Sequence, residues 1–145
     1  KIFQNKNLFF LDAGIGTGCI AFSILNELKH SRGIGIDVSK RTLLNAKLNL
    51  NKFKNRIKLF RRSINDMRNI KFDLIVSNPP YVLKREINRL SGDIKKFEPR
   101  IALDGGNDGL DVIRKVIYKS KSILKFNGIL ALEIGTGQYL SVMNL

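Results

Sequence analysis

Short apolar runs along the chain alternate with segments whose apolar residues recur at helical spacing. "LFFLDA" (8–13) is an apolar run ended by glycines and predicts a buried strand. The segment at about 17–29 places Ile20, Ile24 and Leu28 at i, i+4 and i+8, which predicts a helix with those three inward. "GIGID" (33–37) predicts a second strand, and Ser39 is suited to cap a helix that turns Leu43, Ala46, Leu50 and Phe53 inward. "RIKLFR" (56–61) alternates and "FDLIVS" (72–77) is apolar, giving strands three and four. A helix follows over about 108–124, with Leu110, Ile113, Val116, Ile117 and Leu124 at helical spacing, and "GILALEIG" (128–135) predicts the fifth strand. Strand and helix in this rhythm imply right-handed βαβ crossovers. The expectation is one α/β domain over 1–145, with a doubly wound, mostly parallel sheet.

In such sheets ligands lie outside the carboxyl ends of the strands, near the point where strand order reverses. That rule selects three stretches. In "LDAGIGTGC", Asp12 closes strand one and Gly14, Gly16 and Gly18 follow as G-x-G-x-G. Glycines there let the chain turn sharply and bring bare backbone against a ligand. Asp37 closes strand two, nineteen positions after Gly18, where a carboxylate can accept both hydroxyls of an adenosine ribose. The pair predicts a nucleoside-containing cofactor. A nicotinamide fingerprint spaces its glycines G-x-G-x-x-G and seats a pyrophosphate, which Asp12 would repel. An ammonium and a sulfonium are welcome beside the same carboxylate, which favours S-adenosylmethionine.

The third stretch is "VSNPPYV" (76–82), where two prolines stop strand four. Proline has no N–H and a fixed φ, and it pushes the preceding residue to extended geometry. Asn78, Pro79 and Pro80 therefore present an amide oxygen and rigid, unpaired carbonyls next to the flat face of Tyr81. Two acceptors beside an aromatic plate suit a planar –NH2 group, an amide or an exocyclic amine. Methylating such a nitrogen needs its lone pair oriented and the developing positive charge stabilised, and two acceptors do both.

Composition narrows the setting. One cysteine and one histidine leave no disulfide framework and no Cys/His zinc cluster, so no metal site is expected. No stretch of about eighteen apolar residues could span a bilayer, and no signal peptide opens the chain, so a cytoplasmic protein is expected, with no membrane partner and as a monomer. His30 falls near a predicted helix end and Cys19 at a helix start, where a small buried side chain is expected; neither is assigned catalysis. The net charge of +14 fits attraction to a polyanion, but the basic residues are scattered and Lys, Asn and Ile are all over-used, which is the signature of compositional bias. A first residue of Lys1 and an ending "YLSVMNL" that reads as a cut helix suggest a piece of a longer protein.

Five segments, "FLDAGIGTGCIA" (10–21), "GIGIDVS" (33–39), "FDLIVSNPPYV" (72–82), "FEPRIALDGGNDGLDVIRKVI" (97–117) and "GILALEIG" (128–135), resemble in order the release-factor glutamine methyltransferases, the HemK/PrmC family. The resemblance implies a Rossmann-like class I S-adenosylmethionine-dependent methyltransferase fold, incomplete at its C-terminus and without the family's N-terminal helical domain. It implies methylation of the Gly-Gly-Gln glutamine of a peptide-chain release factor. By position, Gly14, Ile15, Gly16, Thr17, Gly18 and Asp37 are implied to hold the cofactor. Asn78 is implied to touch cofactor and substrate, and Pro79, Pro80 and Tyr81 to hold the glutamine. Ser63, Ile64, Asn65 and Asp66 stand where the family contacts adenine. Two other acceptors suit the same pocket: a ribosomal-protein glutamine, or an adenine amine of RNA or DNA with Tyr81 stacked on a flipped base. Taken without the resemblance, "EPRIALDGGNDG" reads as a long glycine-containing loop over the site, a lid.

Overall fold

A computed structural model describes residues 7–92 and 99–145 of the 145-residue chain. Lys1 and the Phe97 and Glu98 of the resemblance lie outside the described residues. Five strands form one parallel sheet in the order β3-β2-β1-β4-β5: β1 (Phe9–Ala13), β2 (Arg32–Asp37), β3 (Ile57–Arg61), β4 (Phe72–Ser77) and β5 (Leu124–Leu132). The connections carry α1 (Cys19–Glu27), α2 (Lys40–Leu50) and α3 (Asp111–Ile123), and a short α4 (Tyr139–Met143) follows β5. Strand order reverses between β1 and β4, so the switch point of the sheet lies where β1, β2 and β4 end.

Alternation along β1 divides the core into two layers. Phe10 is fully buried on the side that carries Leu25, Leu43 and Phe53, and Leu11 is fully buried on the side that carries Met67, Val116 and Ile123. Each of these large side chains contributes about 1.5–3 kcal/mol by leaving water. Gly33, the partner of Phe10 across the ladder, exists to make room: a Cβ there would stand 2.5 Å from the Phe10 ring.

The predicted elements form, with three shifts. The buried face of α1 carries Ala21 and Leu25, one position on from the expected one, and Ile20 is 37% exposed. Phe53 points inward as expected but from a 3₁₀ turn (Asn51–Phe53) after α2. The fifth strand begins at Leu124, not at 128, and ends at Leu132. Between the Phe72–Leu124 and Leu74–Ile129 pairs β5 advances five residues while β4 advances two, so it bulges there, with Asn127 at φ 59°. No helix among the described residues is long and apolar enough to cross a membrane.

Candidate active site

Beyond Ala13 the chain folds back under β2: the N–H groups of Gly14 and Ile15 both donate to the carbonyl of Ile36 at 2.9 Å. Ile15 then turns its side chain inward, where it is buried and occupies the space a Cβ of Gly35 would take. Gly14 and Gly16 are left on the outside of the loop, while Gly18 is buried. Gly18 has φ 90° and lies so close to Phe22 that a Cβ would stand 2.2 Å from its ring. Only glycine fits both demands. Having no side chain, Gly18 cannot cap α1. That task falls to Asp12, whose Oδ2 accepts from the Ala21 N–H at 3.1 Å.

Asp12 is 1% exposed, and its Oδ1 has no hydrogen-bond partner among the described residues. Burial pushes its carboxyl up to about 7; the Ala21 hydrogen bond opposes this, and the neighbouring carboxylate of Asp37 adds to it. Asp12 thus lies beneath the glycine loop, not on its surface. Thr17 is exposed, with its carbonyl bonded to Asn49 Nδ2 at 3.1 Å and its hydroxyl 3.2 Å from Cys19 Sγ. Cys19, expected to be a small buried side chain, is exposed because it starts the helix at the rim.

Asp37, at the end of β2, is held at both oxygens: Oδ1 accepts from Ser39 N–H at 2.8 Å and Oδ2 from Gly16 N–H at 3.3 Å. Each oxygen keeps a lone pair for a further donor, and the carboxylate is fixed against the loop. The four residues expected near an adenine divide. Ile64 is buried in the core, Ser63 and Asp66 cap the turn they belong to, through Ser63 N–H to Asp66 Oδ2 (2.8 Å) and Asn65 N–H to Ser63 Oγ (3.3 Å), and Asn65 is exposed.

At the end of β4, Ser77 is buried and donates its hydroxyl to the Ala13 carbonyl at 2.5 Å, tying this strand end to the glycine loop. Asn78 follows, exposed, and its side chain has no hydrogen-bond partner among the described residues. Its carbonyl abuts the loop, 4.0 Å from where a Gly14 Cβ would be. Pro79 is buried, Pro80 and Tyr81 are half-buried, and the Tyr81 hydroxyl lies 3.4 Å from Glu133 Oε1. The structure therefore brings Gly14, Gly16, Asp37 and Asn78 to one rim. An unpaired carboxamide, a fixed carboxylate and bare loop backbone can bind a nucleoside cofactor and orient an –NH2 group beside it.

The predicted lid is a strap. Val82 N–H donates to Leu103 O, Gly105 N–H to Val82 O and Lys84 N–H to Gly106 O, each at 2.9 Å. Reading the sequence missed Ser77, Glu133 and Gln138. A polar residue at a strand end is a signal for the first two, whereas no pattern in the chain marks Gln138.

Residues 2–93 match the Methyltransferase small domain family. Release factor glutamine methyltransferases of Geobacter sulfurreducens and Thermodesulfovibrio yellowstonii are 37% and 39% identical over 136 and 147 residues, covering 93% and 100% of this chain. The ribosomal protein uL3 glutamine methyltransferase of Francisella tularensis is 34% identical over 132 residues, 89% of this chain and 42% of its own. The chain spans about half the length of the curated relatives it matches, 48% and 53% for the first two. Among solved structures, a methyltransferase from Pyrococcus furiosus superposes with a TM-score of 0.67 at 16% identity, over 99% of this chain and 62% of that one. PKMT2 from Rickettsia typhi, in complex with AdoHcy, gives 0.56 at 25% identity, over 87% and 20%.

Proposed function

This chain belongs to the methyltransferase small domain family, and from that premise we propose that it is the catalytic domain of a cytoplasmic enzyme that methylates a release factor. The acceptor is the side-chain amide nitrogen of the Gly-Gly-Gln glutamine, and the donor is S-adenosylmethionine. The observation that carries this reading is the unpaired carboxamide of Asn78, set directly after β4 with its own carbonyl against Gly14. The release factor glutamine methyltransferases at 37–39% identity support the choice of acceptor.

The residues fit the cofactor. Gly14 and Gly16 leave a cradle of backbone, with the buried Gly18 turning the chain behind them; the carboxylate of Asp37 is fixed to receive ribose hydroxyls; and the orphaned Oδ1 of Asp12 puts an uncompensated acceptor beneath the loop, suited to a cation. Bound there, S-adenosylmethionine supplies an electrophilic methyl group. Asp12, Ile15 and Thr17 act through the shape and field of the loop, since Asp12 and the Ile15 side chain are buried and the Thr17 carbonyl is taken.

Glutamine is held at its –NH2. The Asn78 side-chain oxygen accepts one N–H and the rigid Pro79–Pro80 backbone the other, while Tyr81 covers a face of the amide. These acceptors aim the nitrogen and stabilise the positive charge it develops. A strong base is not needed first, because methylation of the neutral –NH2 would give an amide cation that is strongly acidic and loses one of its two N–H protons to solvent.

A second acceptor, the glutamine of a ribosomal protein, is favoured by the uL3 enzyme of Francisella tularensis at 34% identity. The test incubates the full-length protein with labelled S-adenosylmethionine and, in separate tubes, a release factor, uL3 and total RNA. Label on the Gly-Gly-Gln glutamine is expected. Label on uL3 moves the acceptor to the ribosome, and label on adenine overturns the protein substrate altogether.

A further inference from the structure

Tyr81 is enclosed from behind by three glycines from two segments, the strap and the stretch after β5. A Cβ on Gly105 would stand 2.8 Å from Tyr81 Cα, one on Gly109 2.5 Å from Tyr81 O, and one on Gly135 3.0 Å from Tyr81 Cδ2. Backbone this close leaves no room for side-chain packing; beside the backbone bonds of Val82 and Lys84 to the strap, one carboxamide joins Tyr81 to both of its neighbours. Gln138 Nε2 donates to Tyr81 O at 3.2 Å and to Gly109 O at 3.3 Å, while its Oε1 accepts from Gly135 N–H at 2.8 Å. Its own backbone is fixed at the start of α4, with N–H to Gly135 O and its carbonyl accepting from Val142 N–H.

Two donors and an acceptor on one planar group are what this junction requires. A carboxylate lacks the donors and an ammonium lacks the acceptor, so the chemistry selects an amide. Every polar atom of the Gln138 side chain is committed to the junction, and none is turned toward Asn78. We infer that Gln138 is a positioning residue that fixes the Tyr81 backbone, and with it the face offered to the acceptor amide, by joining the tyrosine to the Gly105–Gly109 strap and to the segment after β5. The inference rests on the reading of Tyr81 as the cover of the acceptor amide. It adds a residue that touches neither the proposed cofactor site nor the acceptor.

The test uses Gln138→Glu and Gln138→Met in the full-length protein. Glu keeps the shape and the acceptor but sets a carboxylate against two carbonyls, and Met keeps the length with neither donor nor acceptor. Turnover should fall by about a hundredfold, the scale for misplacing a reacting group by an ångström. Cofactor affinity, by calorimetry, should stay within about twofold, since the glycine loop is untouched. Amide hydrogen exchange should quicken at Val82 and Gly105 and stay unchanged in β1 and β2.

Unchanged exchange at Val82 and Gly105 overturns the inference without reference to activity. So does a parallel fall of turnover, cofactor affinity and β1 protection, which would make Gln138 a general stabiliser. Tyr81→Ala serves as the control for the reading beneath. If it leaves turnover intact, the role of Tyr81 in catalysis fails, while the exchange result still decides what Gln138 fixes.

Discussion

The carboxylate of Asp12, at the end of the first strand, caps the helix that begins after the glycine loop by accepting the Ala21 N–H at 3.1 Å. One buried acid thus shapes the loop from beneath. Its carboxyl is pushed up to about 7 from the ordinary 3.8, chiefly by burial. Between about pH 4 and about pH 7 the unfolded chain therefore gives up a proton that the folded chain keeps, and stability falls across that window and levels off above it. Asp12→Asn should flatten the slope, a difference of a few kcal/mol readable in urea titrations at the two ends of the window. Equal slopes in both proteins would exclude the effect.

The same titration bears on the cofactor. A cation settling above Asp12 favours its ionised form, so binding of S-adenosylmethionine should release a proton near neutral pH. Affinity should rise as pH climbs toward about 7 and then level. Calorimetry in buffers of different ionisation enthalpy measures the proton directly, and uptake in place of release would contradict the placement.

Asp37 receives two backbone N–H groups as well as the proposed ribose. Asp37→Ala should weaken cofactor binding by roughly ten- to a hundredfold, since hydrogen bonds to a charged group are worth about 1.5–3 kcal/mol each. Asp37→Asn, which keeps an acceptor, should lose less. Equal affinity in all three proteins would remove the ribose assignment.

Asn78 is the residue proposed to accept from the reacting amide. Asn78→Ala should cut turnover by roughly ten- to a thousandfold, the range for losing one preorganised polar contact, with a smaller change in cofactor affinity. Steady-state kinetics beside calorimetry separates the two, and full turnover in the variant would refute the role.

Gly18 combines φ 90° with the ring of Phe22. Gly18→Ala should cost about 1–3 kcal/mol from the backbone conformation alone, and more from the overlap. Adding Phe22→Ala should return the overlap part and leave the backbone part, a coupling visible in a double-mutant cycle of melting curves. Simple additivity would mean the ring moves aside freely.

Short apolar runs announced β1 and β4, which are buried on both faces, whereas β3, an edge strand and largely exposed, was announced by its alternation. Periodicity was less exact for α1, where Ile20 lies on the rim of a cleft lined by Val76, Ala131 and Leu132, and the buried stripe runs through Ala21 and Leu25. The start of β5 was hidden because "LKFNG" contains a bulge, and pairing through Leu124 with Lys125 bonded to Asp73 is a tertiary fact. That Gly14, Asp37 and Asn78 meet at one rim was legible because motif and strand end coincide. The capping role of Asp12 and the junction at Gln138 were not, because each depends on segments distant in sequence coming together.

The hydroxyl of Ser77 on the Ala13 carbonyl gives both halves of the site a common foundation. Thermal breathing of the sheet then carries the glycine loop and Asn78 together, and the gap across which a methyl group would pass is insulated from it. A machine tool is built on the same idea, with workpiece and cutter bolted to one casting. Tolerance at the working point is set by that bed, and a flexible remainder of the protein costs it little.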